Sequence, residues 1–312
     1  MKEYLFNYYP EFKCIADKCK HSCCVGWEIN IDSDSLERYK NEKSHFSKTL
    51  ICGINLKKSK FKTDKNKKCA FLNEKGLCEL IINLGENSLC QVCRDHPRFR
   101  SFFADRIETG LGFCCEESAR IILSFKDKIE PVLINDDKKD EQLDFISKSV
   151  LDFRKKAIDI AQDRTISAND RLKKIISICN ANFDSFDLKK IIKTFLSFER
   201  LDKGWTKRLK TIRKAYLTKF TDENLSLFFE QFLVNSLYRH LFNAEDSFSV
   251  RARTLACIFS WLIIKSIIET EKGKEYNFED IVDVVRAYSS EIEYSQKNLD
   301  KLFNFANKFI KV

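Results

Sequence analysis

Apolar residues return at helical intervals along most of the second half of the chain. A repeat every three to four positions is typical of helices that bury one face. It recurs over residues 143–161, 171–179, 188–198, 225–241, 255–268 and 278–287. The fourth segment carries a wide apolar stripe that predicts core packing, formed by Leu225, Phe228, Phe229, Phe232 and Leu233. We therefore predict a helical bundle here.

The first half begins with a different pattern. Residues 26–31 alternate between apolar and polar, as a strand does, and lead to Asp32. A helix can begin there and run to about residue 50, with Asp34 and Glu37 as a capping-box-like pair at its start.

Further along, turn-forming residues 73–76 predict a hairpin that brings Cys69 and Cys78 close together. Residues 98–113 predict two strands, and residues 116–125 predict a helix. The first half is therefore expected to be a compact α+β region.

A wholly charged or polar run at residues 135–141 predicts a linker. It divides the chain into a cysteine-cluster metal-binding region, residues 1–134, and a helical domain, residues 135–312. The predicted fold is mainly α: a small cysteine-rich α+β region followed by an all-helical bundle.

Composition agrees with a packed, helix-favouring globular protein: 44% of the 312 residues are hydrophobic, with eight Gly and three Pro. The first ten residues lack the basic region and long apolar run of a signal peptide, and no window approaches eighteen consecutive apolar residues. We expect a cytoplasmic protein with no membrane partner.

The net charge of +9 would suit an anionic partner, but seven lysines are concentrated in residues 57–68. That stretch is typical of a solvated loop. Basic residues interleaved with exposed aromatics, the usual mark of nucleic-acid binding, are not evident, and we expect no nucleic-acid partner.

Cysteine usage changes this picture, because eleven of the thirteen cysteines lie within the first 115 residues. Cytosolic thiols stay reduced, so a dense pattern there indicates a metal or iron–sulfur centre. A disulfide framework is the alternative, although the cysteine count is odd and such frameworks are typical of small secreted proteins. Cys179 and Cys257 lie in helical patterns and are expected in the core.

Cys90 and Cys93 form a C-x-x-C pair that can converge on one metal. We place it on a short helix capped by Ser88 and stopped by Pro97. A thioredoxin-like redox site uses the same spacing but needs a βαβ context, which the pattern does not show.

Eight cysteines are candidate metal ligands: Cys14, Cys19, Cys23, Cys24, Cys69, Cys78, Cys90 and Cys93. The ones ranked first are Cys19, Cys23, Cys69, Cys78 and Cys93. Adjacent Cys23 and Cys24 would point to opposite faces of an extended backbone, so a first metal should draw on both clusters and leave one of this pair outside it. Cys52 and Cys115 are expected to be ordinary buried thiols.

The cysteine region also carries a series of longer motifs. They are Phe12-x-Cys14-Ile15, Cys19-x-x-x-Cys23-Cys24-x-Gly26-Trp27, Ile31-Asp32, Cys69-x-Phe71-Leu72, Leu77-Cys78, Cys90-x-x-Cys93-x-x-Pro97-Arg98 and Cys114-Cys115-Glu116-Glu117-Ser118-Ala119-Arg120. In these the chain resembles the flagellin lysine-N-methylases of the FliB type. That family usually has proline where this chain has Cys115.

The helical half is similar to the same family at looser motifs: Ile160-Ala-Gln-Asp-Arg164, Trp205, Phe232-Leu-Val-Asn235, Tyr238-Arg239, and Arg286 before Glu293-Tyr294. The family favours histidine near the position of Tyr294. Cysteine-cluster proteins described as zinc- or iron-chelating share the Cys-Cys pair, the C-x-F-L motif and the later Cys-Arg, but they lack this helical half.

The resemblance implies an S-adenosylmethionine-dependent protein-lysine N-methyltransferase that acts on flagellin and contains a cysteine-ligated [4Fe-4S] cluster. Zinc is the alternative metal, and a non-catalytic zinc- or iron-chelating protein is the alternative function. The chain has no G-x-G-x-x-G after a strand and no C-x-x-x-C-x-x-C, so neither a common S-adenosylmethionine pocket nor a radical site is signalled.

Methylation also requires an uncharged lysine amine, held in a desolvated or base-assisted site. An aromatic wall could hold the lysine side chain. Trp27 is one candidate for that wall, and a core tryptophan is the alternative.

Overall fold

The computed structural model describes residues 1–136, 142–212, 223–272 and 275–311. The chain forms two compact units. The helical unit comprises Met1–Phe12, Phe99–Cys114 and Ser118–Val312, and the cysteine unit comprises Lys13–Arg98 and Cys115–Glu117.

This division differs from the predicted boundary between residues 134 and 135. Asn135 and Asp136 belong to a strand that pairs with Lys2 and Glu3, so the start of the chain is part of the helical unit. The rest of the predicted linker, residues 137–141, lies outside the described residues.

A four-stranded mixed sheet belongs to the helical unit, in the order β4-β5-β1-β6. Its strands are β1 (Lys2–Phe6), β4 (Arg98–Phe102), β5 (Arg106–Leu111) and β6 (Pro131–Asp136). β1 runs parallel to β5 and antiparallel to β6, with Leu5 opposite Thr109 and Val132. The prediction of β4 and β5 is confirmed. The sequences of β1 and β6 show no clear alternation of apolar and polar residues, so these strands were not predicted. They form through pairing between segments far apart in the chain.

The predicted helices are present. They are α5 (Glu116–Ser124), α6 (Phe145–Ala161), α7 (Ala168–Ile178), α8 (Leu188–Leu196), α10 (Glu223–Leu241), α11 (Ser247–Lys272) and α12 (Phe278–Tyr288). The sequence pattern missed α9 (Lys203–Thr211) and α13 (Gln296–Asn307), and a π-helix, Ser289–Glu293, follows α12. A mainly α fold is thus confirmed.

The core of the helical unit forms around α10 and α11, which are buried on nearly all sides. The rings of Phe229 and Phe232 pack against Trp261 at centroid distances of 5.7 and 5.8 Å. Cys179 and Cys257 are buried in this core, as expected. α11 is long and apolar enough to cross a membrane over Ser247–Glu271, but 72% of its apolar window is buried within the protein. Such burial is typical of a core helix.

The cysteine unit is built from short elements around a small aromatic core. They are α1 (Ser33–Lys40), α2 (Ser47–Cys52), the strand pair β2 (Ile54–Asn55) and β3 (Lys60–Phe61), α3 (Glu79–Leu84) and α4 (Gln91–Asp95). Phe71 packs against Phe61 and Phe46 at centroid distances of 5.1 and 6.2 Å. Most of the lysine-rich stretch is exposed, while buried Phe61 anchors it.

Two details of the sequence prediction are wrong here. Residues 26–31 form no continuous strand, and only Asn30 makes a single bridge, to Lys60. The predicted helix from Asp32 to about residue 50 is two helices, because Glu42 accepts a hydrogen bond from the Ser44 backbone N–H at 2.8 Å and competes with helical bonding.

The caps of these helices also differ from the expectation. Asp32, not the pair formed by Asp34 and Glu37, caps α1. The residue before α4 is Cys90, while the Ser88 hydroxyl donates to the carbonyl of Gly85 at 2.6 Å.

Candidate functional site

The thiols of the cysteine unit fall into two groups, defined by which cysteines interact electrostatically with one another. The inner thiol group consists of Cys24, Cys69, Cys78, Cys90 and Cys93. The outer thiol group consists of Cys14, Cys19, Cys23 and Cys115. A hydrogen bond between the thiols of the adjacent residues Cys23 and Cys24 links the two groups, and the inner group draws on both sequence clusters.

Local backbone structure assembles the inner group. The Cys69 N–H donates to the carbonyl of Cys24 at 2.8 Å, which joins the first cluster to the second. The predicted hairpin is confirmed: the Asn73 N–H donates to Leu77 at 2.9 Å, and a bridge pairs Leu72 with Cys78.

Cys78 and Cys90 each immediately precede a short helix, α3 and α4. Amide groups at a helix start favour a thiolate over a thiol. The hydrogen bond from the Cys93 thiol lowers the pKa of Cys90 to about 7, and it raises the pKa of Cys93. Burial raises the pKa of Cys69 to about 11. Cys90 therefore ionises more readily than Cys69.

A carboxylate assembles the outer group. Glu116 accepts hydrogen bonds from the backbone N–H groups of Lys20 and His21, both at 3.1 Å. This contact brings Cys115 to the loop that carries Cys19 and Cys23. Burial, followed by the charge of Glu116, raises the pKa of Cys19 to about 12.

Two expectations about cysteines outside the candidate ligands are wrong. Cys52, at the end of α2, is exposed rather than buried. Cys115 is half-buried and interacts with Cys19 and Cys23, because Glu116 anchors its backbone to their loop.

The chemistry of the inner group fits a cluster or a zinc ion, since it supplies more than four soft sulfur donors. Within the ranges that the structure describes, however, no three or more His, Cys, Asp or Glu side chains form a ready-made metal site. The ligand assignment stays a prediction. A cavity of about 410 Å³ lies beside Cys69 and is also lined by Lys62, Asp64 and Lys68.

Trp27 lies beside the Cys-Cys pair, and it is half-buried rather than part of the closed core. Its indole N–H donates to the carbonyl of Cys23 at 2.6 Å, and its ring lies 6.1 Å from that of His96. The ring thus helps to hold the loop that joins the two thiol groups.

The helical unit contains a second concentration of polar groups, which we call the Glu293 network. The Glu293 carboxylate accepts hydrogen bonds from Arg239 at 3.0 Å and from Ser289, and it contacts His240 Nε2 at 2.8 Å. Burial raises the pKa of Glu293, but Arg239 and His240 outweigh it and lower that pKa to about 2. Burial lowers the pKa of His240. The carboxylate is consequently ionised and fully engaged.

Tyr294 connects this network to the surface. Its side chain is 44% exposed, and the Arg239 guanidinium lies 4.9 Å from its ring centroid. The ring of Phe99 lies 5.8 Å from the same guanidinium, and the Cys114 thiol is hydrogen-bonded to Tyr294. A π-helix ends at Glu293, immediately before Tyr294, and such insertions are common at functional sites.

Two further buried contacts involve neighbouring residues of α10. The Tyr8 hydroxyl donates to Asn235 at 2.6 Å, and the Asn235 amide donates to the carbonyl of Leu111 at 3.1 Å. The ring of Tyr238 lies 4.7 Å from the guanidinium of Arg154. Motif residues of the helical half therefore occupy buried polar positions.

Sequence reasoning did not identify His240 and Ser289 as parts of one network. The available signal was the presence of charged and amide residues inside the otherwise apolar helix α10. They are Glu230, Gln231, Asn235, Arg239 and His240. Buried polar groups need hydrogen-bond partners, so polar residues within an apolar helix indicate specific buried contacts.

Comparisons with known proteins identify the family. The model of the FliB lysine N-methylase C-terminal domain matches residues 111–310, which include the whole Glu293 network. The Lysine-N-methylase of Salmonella typhimurium strain LT2 is 27% identical over 124 residues, which cover 37% of this chain and 31% of that protein. The Flagellar biosynthetic protein FliU of Salmonella muenchen is equally similar, with 73% of its length covered.

The aligned part thus spans about a third of the length of the first relative. No solved structure matches the chain. The family match covers well over half of the sequence, and we conclude that the chain belongs to the family of the FliB lysine N-methylase C-terminal domain.

Proposed function

We propose that this protein is an S-adenosylmethionine-dependent protein-lysine N-methyltransferase and that its substrate is flagellin. The observation that carries the proposal is the family match over residues 111–310, which includes the Glu293 network. The names Lysine-N-methylase and Flagellar biosynthetic protein FliU of its relatives support the reaction and the flagellar substrate.

The chemistry sets a condition on the site. The lysine nitrogen forms a bond to the methyl carbon while the carbon–sulfur bond of the donor breaks, leaving S-adenosylhomocysteine and a proton. A lysine amine has a pKa of about 10.4 in water, so the site must favour its neutral form. A desolvated surface lowers the pKa of the lysine amine, whereas a nearby carboxylate would raise that pKa by stabilising the ammonium ion. A site walled by an aromatic ring provides desolvation without such a carboxylate.

We place the substrate lysine against the exposed face of Tyr294. Tyr294 is 44% exposed, and the Arg239 guanidinium beside its ring is held by the buried Glu293 carboxylate. Glu293 is saturated by Arg239, His240 and Ser289, so it acts as a positioning residue and not as the base.

The inner thiol group is our proposed site for a [4Fe-4S] cluster, with zinc as the alternative. Its five thiols exceed the four that either centre needs. Methyl transfer from a sulfonium to an amine needs no external oxidant or reductant. A bound cluster would therefore cross-link the loops rather than take part in redox chemistry. A bound metal would hold Cys24 and Cys69 close to Cys78 and Cys90, which precede α3 and α4. Metal binding would therefore contribute to the folding free energy of this unit.

The test incubates anaerobically purified full-length protein with flagellin and methyl-labelled S-adenosylmethionine. We expect labelled methyl-lysine on flagellin and a brown protein with charge-transfer absorption. An intact metal centre without any transfer would contradict the enzymatic proposal and favour the chelating alternative. A colourless protein that transfers methyl groups would instead favour zinc.

A further inference from the structure

A groove of about 550 Å³ lies between α8 and α13 in the helical unit. Phe186, just before α8, packs against Phe309, just after α13, at a centroid distance of 5.3 Å. At the other end, the Lys301 ammonium group donates to the carbonyl of Ser197 at 3.4 Å. The two helices therefore run in opposite directions along the groove.

The groove is basic where its lining is exposed and aromatic where its lining is half-buried. Its exposed lysines are Lys190 and Lys193 on α8 and Lys308 at the end of α13, and its half-buried rings are Phe305 and Phe309. The two rings pack edge to face at a centroid distance of 5.2 Å, and both also pack against buried Phe259. The aromatic part of the lining is thus fixed by the core.

The charge on both sides of the groove has one sign. Residues 188–197 contain three lysines and no acidic residue, and residues 301–312 also contain three lysines and no acidic residue. The carboxylates that border these segments, Asp187, Glu199 and Asp300, each accept a hydrogen bond from another group. Among the described residues, the three lining lysines have no carboxylate partner. Like charges on one face repel each other, so a ligand that brings negative charge is favoured.

The lining favours the carboxylates of a peptide over a nucleic acid. Planar recognition of phosphate commonly uses the fork of an arginine, and the residues that line this groove include none. Single-stranded nucleic acids stack their bases on open aromatic faces. Here the rings of Phe305 and Phe309 are packed against each other and against the core. An amphipathic helix instead lays its apolar side into a groove and keeps its charged side chains at the edges.

We propose that this groove binds an acidic amphipathic helix of a partner protein. Carboxylates of that helix pair with Lys190, Lys193 and Lys308, and its apolar face covers the two phenylalanines. The part of α8 from Lys190 to Ser197 is about 11 Å long at about 1.5 Å per residue, so it accommodates about two turns of the partner helix. The site shares no residue with the proposed lysine site or with the proposed metal centre.

The experiment measures fluorescence anisotropy of a labelled synthetic peptide, built from glutamate, leucine and alanine in an amphipathic helical pattern, on addition of full-length protein. Lys190→Glu/Lys193→Glu is the groove variant. Lys173→Glu/Lys174→Glu, which reverses two exposed lysines of α7, is the matched control. We expect saturable binding by the wild type and the control, weakening as salt rises. The groove variant should bind at least about tenfold more weakly, because each reversal replaces an attraction with a repulsion.

Two altered peptides separate the roles of charge and apolar contact. Replacing each glutamate with glutamine, or each leucine with serine, should weaken binding at least about tenfold. Circular dichroism should show unchanged helix content in both protein variants, because all four substituted lysines are exposed.

No saturable binding by the wild type would overturn the proposal, and so would equal weakening in the groove variant and the control. Full binding of the serine peptide would show a general basic surface instead of a groove for an amphipathic helix. Tighter binding of a single-stranded oligonucleotide of equal charge, lost in the groove variant, would assign the groove to nucleic acid and contradict the proposal. None of these measurements depends on methyl transfer.

Discussion

The carboxylate of Asp32 accepts a hydrogen bond from the backbone N–H of Gln91 at 2.8 Å, across 59 positions of the sequence. Its other oxygen accepts from the Ser35 N–H at 2.9 Å and caps α1. One side chain thereby caps two helices. Because Cys90 immediately precedes α4, this contact also fixes the position of a predicted metal ligand.

Replacing Asp32 should therefore remove a capping hydrogen bond from each of two helices, α1 and α4. Asp32→Ala is expected to lower the free energy of unfolding of the cysteine unit by about 2 kcal/mol, at about 1 kcal/mol for each cap. Iron occupancy should fall as well. Denaturant unfolding and metal analysis provide the measurement. Asp34→Ala is the control, since Asp34 accepts only a 3.3 Å bond from Ser33 and should cost less than about 0.5 kcal/mol.

Serine scanning of the thiols tests the ligand prediction. Single changes at Cys69, Cys78 and Cys93 should each reduce iron content strongly, because each removes a sulfur donor from the inner thiol group. Changes at Cys19 and Cys23 should lower the metal content as well, because the sequence ranks these two thiols with the other three. Full metal occupancy in all five variants would refute the ranking.

Metal removal should loosen the cysteine unit before the helical unit. The cysteine unit has a small core, so metal binding contributes much of its folding free energy, while α10 and α11 bury enough apolar surface to stay packed. Hydrogen exchange should show deprotection of residues 13–98 in apo protein, with β1 and β5 still protected. Equal deprotection in both units would show that they unfold as one cooperative domain.

Tyr294 provides a test of the proposed lysine site. Tyr294→Ala should lower kcat/KM for flagellin about tenfold, since covering the hydrocarbon stem of the lysine with the ring contributes on the order of 1–2 kcal/mol. Tyr294→Phe keeps the ring and should retain most activity. Phe248→Ala removes an aromatic residue that is 38% exposed at the start of α11 and serves as control. Equal losses in the alanine variant and this control would argue against the site.

The Glu293 network should make stability depend on pH. Glu293 titrates near 2 in the folded protein instead of near 4.5, so its contribution is complete above about pH 4.5 and is lost as pH falls toward 2. The difference corresponds to ~3 kcal/mol. Glu293→Gln should remove this part of the acid dependence, and it should destabilise the neutral protein because Arg239 is then buried without its counterion. Thermal unfolding between pH 2 and 7 measures both effects. An unchanged profile in the variant would contradict the assignment.

The sequence by itself determined the helical content and the concentration of thiols in one compact region. Apolar periodicity marks α10 and α11 because a helix that buries several faces must be apolar at most positions. The Asn73–Gly76 turn and the short helix that carries Cys93 are likewise local features, whereas the sequence pattern did not predict α3. Local signals also explain the strands β4 and β5.

Only the tertiary structure decided which distant residues meet. The strands β1 and β6 form because they pair with each other, and neither segment has a local pattern that predicts a strand. The position of Cys24 beside Cys69 depends on their backbone hydrogen bond, and the position of Cys115 beside the loop of residues 19–23 depends on Glu116. The convergence of Arg239, His240 and Glu293 depends on packing between α10 and the π-helix. Long-range contacts of this kind join residues far apart in the chain, so a local pattern does not contain them.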